Sequence, residues 1–139
     1  MACALEEKQS RSEAETALMI LAAQTGRRFW QLAGGWQQVA MAEYRLAMTY
    51  LQAHKIDEAF QCAQNSVELC QINKGSDQDF FSAYEALALC EHQRKNQVGA
   101  MRALELAQSL FDKLGSDERQ WHETSIEKLH QKIAALNQS

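Results

Sequence analysis

The side chains able to do chemistry are few and widely separated along the chain. Glu127-Lys128-Leu129-His130 is its only Glu-x-x-His, the spacing that sets a carboxylate and an imidazole one helical turn apart. A carboxylate-bridged di-iron bundle needs two such pairs and two further glutamates on facing helices. One pair is not a site, and Glu127 with His130 is expected to form a solvent-facing contact. His54, His92 and His122 show no metal-binding spacing. The four cysteines, Cys3, Cys62, Cys70 and Cys90, include no Cys-x-x-Cys. Three of them fall inside helical patterns, where free cysteine packs as a small apolar residue, and reduced thiols point to the cytoplasm. Gly34-Gly35 has neither the lysine nor the strand of a phosphate loop, and no serine, cysteine or histidine stands in a nucleophile motif. The expectation is a chain that is not an enzyme and holds no metal or other cofactor.

What must position these residues is a helical scaffold. The 139 residues suffice for a single domain, 46% hydrophobic and 23% charged. The absence of proline and the presence of only six glycines leave long stretches free to be helix. A formal charge of −4 supplies no electrostatic footprint for nucleic acid. The apolar run Ala17 to Ala23 is too short to span a membrane, and the glutamates before it are wrong for a signal peptide.

A capping pattern, Ser12 with Glu15, opens a first helix that could begin as early as Leu5 and ends at Gly26. Residues 27–36, with Phe29, Trp30, Leu32 and Trp36 around a glycine pair, read as an ordered aromatic connector. The aromatics are expected to be covered, either by folding back over the seam between the first helix and the helices that follow from residue 37, or by a dimer contact. Helices from Gln37 to Ala53 and from Asp57, its N-cap, to Asn73 come next. Two more run from Gln78 to Arg94 and on to Leu114. Gly75-Ser76-Asp77 and Gly115-Ser116-Asp117 punctuate the chain, with glycine in the left-handed position and serine or aspartate as the following cap. A final helix, from Asp117 to Leu136, puts Trp121, Ile126, Leu129, Ile133 and Leu136 on one side.

Residues 46–72 match residues 87–113 at a fixed offset of 41: Leu46 with Leu87, Ala47 with Ala88, Gln52 with Gln93, Ala59 with Ala100, Leu69 with Leu110. Self-similarity at such a period marks stacked helical repeats. Leu46-Ala47, Tyr50, Ile56 and Ala59 resemble the tetratricopeptide repeat, and the second copy keeps Leu87, Ala88, Ala100 and Ala107 with Tyr84 at the motif's tryptophan position. Glu91 replaces the motif's aromatic and Gln97 its turn residue, and the period exceeds the family's usual value of about 34. It is similar to the extended variants of adaptor and kinesin-light-chain-like proteins.

The resemblance implies an all-α fold of antiparallel helix pairs stacked as a short solenoid. Its parts would be the first helix and connector (about 1–36), repeat one (37–74), repeat two (77–114) and a capping helix (117–137). It further implies a cytoplasmic adaptor that takes a peptide or helix of a partner protein in a concave groove. The lining would be Met41, Tyr44, Arg45, Met48, Leu51 and Gln52 in the first repeat, and Ser82, Glu85, Leu89, His92 and Gln93 in the second. That face lacks the convergent lysine, asparagine and arginine of a carboxylate clamp. The alternative is a self-associating structural or regulatory module, a homodimer through the aromatics of 29–36.

Overall fold

A computed structural model describes the backbone of residues 2–138 and the side chains of residues 13–134, and all of its regular structure is helix. The elements are α1 (Ala2–Ala33), α2 (Trp36–Gln52), α3 (Ile56–Asn73), α4 (Asp77–Gln93), α5 (Gln97–Lys113) and α6 (Ser116–Gln138). Each helix packs on the next. α2 also touches α4 and α4 touches α6, whereas the backbones of α1 and α3, and of α3 and α5, stay apart. The even-numbered helices therefore form a continuous row on one side, and the odd-numbered ones are spread along the other. None of these helices, over the described residues, is long and apolar enough to cross a membrane.

Small residues let the helices approach. Ala47, Ala59, Ala88 and Ala100 have no exposed surface, in a core that also holds Leu46, Cys62, Ala63, Phe81 and Leu129. With only a methyl group between backbones, helix axes settle toward the close end of the 8–10 Å range.

The offset of 41 reappears in the turns. Lys55 N donates to Tyr50 O and Asn96 N to Glu91 O, both at 2.9 Å, and the residue before each donor, His54 or Lys95, has a left-handed φ of 59° or 63°. A third closure of the same kind has Gly75 N on Cys70 O with Lys74 at φ 54°. These are six-to-one helix stops. The left-handed residue is Lys74 and not Gly75. What glycine supplies at 75 is room, since a Cβ there would lie a tight 3.1 Å from the Trp36 ring. Ser76 caps α4, accepting from Asp79 N at 3.2 Å while Asp79 Oδ2 accepts from Ser76 N at 3.0 Å. α3 starts one residue before Asp57, with Lys55 at its N-cap position.

The first helix differs most from expectation. α1 begins well before Ser12, passes through Gly26 and stops only at the Gly34-Gly35 pair, so 27–33 is helix and not connector. One interior glycine costs about 1 kcal/mol against alanine, and contacts made beyond it outweigh that. Arg27 Nη1 lies 3.5 Å from Glu43 Oε1, and Glu43, which is buried, also accepts from Asn65 Nδ2 at 3.4 Å. Gln24 donates to Tyr50 Oη at 2.8 Å. The aromatics are only partly covered: Trp36 sits against Gly75, Trp30 packs edge-on to Phe29 with ring centroids 5.0 Å apart, and Phe29 and Leu32 face water.

Candidate functional site

The even-numbered row brings together Tyr44 and Met48 from α2, Glu85 and Leu89 from α4, and Ser125, Lys128, Leu129 and Lys132 from α6. Tyr44 and Glu85 are the same position in the two repeat copies, and Tyr44 Oη donates to Glu85 Oε1 at 2.9 Å. Burial holds the Glu85 carboxyl above the usual carboxylate range, while hydrogen bonds from Tyr44 and Ser125 pull the other way. Burial and the adjacent Glu85 charge likewise raise the Tyr44 phenol. A polar chain from α2 through α4 to α6 thus forms the floor of this side.

Over that floor, Met48, Leu89 and Leu129 with Lys128 and Lys132 enclose a hollow of about 110 Å³. A cofactor or metabolite site occupies roughly 300–1,000 Å³, so this one accommodates a single side chain. The two lysines are one turn apart on α6 and have no ion-pair partner among the described residues, where only Arg27 and Arg94 are so engaged. A larger hollow lies between the turns at His54–Glu58 and Gln93–Lys95. It is broad and open, with Ile56 among side chains that are otherwise polar or charged.

The remaining expected site residues lie along the same row without entering the hollow. Met41, Arg45 and Gln52 are exposed, Leu51 and Ser82 are buried, and Gln93 is half-buried. His92 is half-buried, and its Nδ1 is enclosed with no hydrogen-bond partner among the described residues. The contribution of α6 was not expected. Trp121 is 80% exposed and does not join Ile126, Leu129 and Ile133 in the core. Half-buried His122 packs against that core instead, 4.8 Å from the Phe81 ring and 3.0 Å from Gln78 Nε2. Trp121, Ser125, Lys128 and Lys132 instead share one face at helical spacing, a stripe legible in sequence as basic and aromatic without an acidic residue.

The residues whose types could do chemistry are engaged in packing and hydrogen bonds. His130 Nε2 donates to Gln108 Oε1 at 2.7 Å and does not meet Glu127. No three His, Cys, Asp or Glu side chains converge on a metal-sized space among the described residues. Cys62, Cys70 and Cys90 are buried free thiols, and burial pushes Cys62 and Cys90 up to about 12 and Cys70 to about 11. Cys3 lies outside the described side chains. Glu91, at the motif's aromatic position, organises its turn: Asn96 Nδ2 donates to Oε2 at 2.7 Å and Arg94 Nη1 to Oε1 at 2.9 Å, with the Arg94 guanidinium 3.9 Å over the Phe60 ring. Gly99 leaves the space for it, since a Cβ there would run into Glu91 Oε2.

No protein-family model, curated protein or solved structure matches this chain.

Proposed function

We propose that the chain is a protein-binding module, a short tetratricopeptide-like stack whose α2–α4–α6 side is concave and takes a peptide or helix of another protein. The observation that carries this reading is the side-chain-sized hollow beneath Lys128 and Lys132, with Met48, Leu89 and Leu129 as its walls. An apolar anchor of the partner fills the hollow, and carboxylates beside that anchor meet the two lysines and Arg45. Trp121 and Met41 add exposed apolar surface to the same side, and tryptophan is a frequent centre of binding energy. The module has no catalytic role, requires no cofactor and does not bind nucleic acid. Its buried reduced thiols suit the cytoplasm.

The test is affinity capture with quantitative mass spectrometry, comparing the parent, Lys128→Glu/Lys132→Glu, Met48→Glu and a control with Lys113→Glu on the odd-numbered side. A protein recovered by the parent and the control, and depleted at least tenfold by both site variants at unchanged helical content, is the expected result. Equal recovery by all four would move binding to another surface.

A further inference from the structure

α1 is apolar on two opposite faces and partnered on one. Ile20, Ala23 and Arg27 face α2 and the core. On the far side Leu18, Leu21, Phe29 and Leu32 are 64%, 58%, 57% and 78% exposed, with exposed Ala22 and Thr25 between them. A helix apolar all round belongs in an interior, yet α2 is the only helix whose backbone α1 touches among the described residues. This surface goes beyond the groove proposed above and lies on a different element.

We infer that a second copy of the chain covers this face, in an isologous antiparallel pairing of α1 with α1 about Thr25. The spacing argues for the two-fold. Leu18 and Leu32 stand seven residues either side of Thr25, and Leu21 and Phe29 four either side. In an antiparallel pair centred there, Leu18 meets the partner copy's Leu32 and Leu21 its Phe29, so each large side chain finds another, as an isologous contact requires. The middle is small. Ala22 and Thr25, both exposed, let the helices approach.

Area agrees with the same occupant, and charge does not oppose it. No acidic residue stands between Glu15 and Trp36. Arg28, three residues past the centre, falls opposite Ala22 of the other copy, so the two Arg28 side chains do not meet. Four large side chains more than half exposed make a patch of roughly 500 Å², and two such patches together reach the ~1,000 Å² a specific interface needs. The aromatic contribution is Phe29 alone, since Trp30 and Trp36 are half-buried within their own chain.

Sedimentation equilibrium of the full chain near 100 µM, with Leu21→Glu/Phe29→Glu for comparison, tests the surface; both positions are exposed, so circular dichroism should show the variant folded. The expected result is a dimeric parent and a variant whose association is weakened at least tenfold. A monomeric parent, or a dimer that survives the double substitution, overturns the inference. Register is tested on a Cys3→Ser background with a short thiol-to-thiol cross-linker. Thr25→Cys should link to itself, and Leu18→Cys should not, because its copies would stand ~21 Å apart, but it should link to Leu32→Cys when the two variants are mixed. Self-linking of Leu18→Cys without Thr25→Cys would overturn the antiparallel two-fold.

Discussion

Glu85 shows how one side chain joins fold and site. It is a carboxyl in a buried position, bonded to Tyr44 and placed beneath two lysines. Its raised titration range means that the folded state favours the protonated form. The associated stability is complete below the ordinary carboxylate range and is lost as pH rises through the folded value. Glu85→Gln keeps an acceptor for Tyr44 and has no proton to lose. We predict that the variant matches the parent at low pH and exceeds it increasingly as pH rises above the ordinary carboxylate range. Urea unfolding across pH 3 to 8 measures the difference, and a pH-independent gap between the two proteins would remove Glu85 as the titrating group. Its place on the same helical face as Leu89, at the position that matches Tyr44, is legible in the sequence. Its bond to Tyr44 is not, because repeat spacing identifies equivalent positions without showing that they touch.

Turns make the corresponding point for elements. All three left-handed helix stops carry ordinary side chains, His54, Lys74 and Lys95, where glycine would avoid the ~1–2 kcal/mol steric cost. Part of that gain is offset by the larger unfolded-state entropy of glycine. Lys95→Gly is therefore expected to raise stability by about 0.5–1 kcal/mol, seen as a higher urea midpoint at unchanged slope; a lower midpoint would mean that the Lys95 side chain supports the turn. The helices after residue 36 are readable within one or two residues because their apolar periodicity and the alanine pairs repeat. Three features are not. Gly26 suggests an end to α1 when only its local cost is weighed, and the compensating contact of Arg27 with Glu43 is a tertiary one. Periodicity puts Trp121 in the core, whereas it is His122 that packs on Phe81. Glu91 looks like a defect in the repeat, and its reason is the Gly99 opposite it.

At the scale of the whole molecule, backbone contacts among the described residues join only helices adjacent in sequence or one apart, so among them no element is locked by the distant end of the chain. α1 is the extreme case, a 32-residue helix lying along a 17-residue one. Its detachment exposes Glu43 to water, and hydration of that carboxylate replaces the lost Arg27 contact and lowers the cost of opening. Such a helix can leave while the rest stays folded. The susceptible bond then has an address. Arg27-Arg28 is a tryptic site inside α1, and cleavage there needs local opening alone. Limited trypsin digestion should release the N-terminal segment first, leaving a fragment that begins at Arg28 or Phe29. If copies pair through α1, the half-life of that bond lengthens with protein concentration at fixed protease concentration, so the chain carries a dilution-sensitive record of its own abundance. A half-life constant over a hundredfold dilution series, in a range where sedimentation shows association changing, would mean that pairing does not protect this helix.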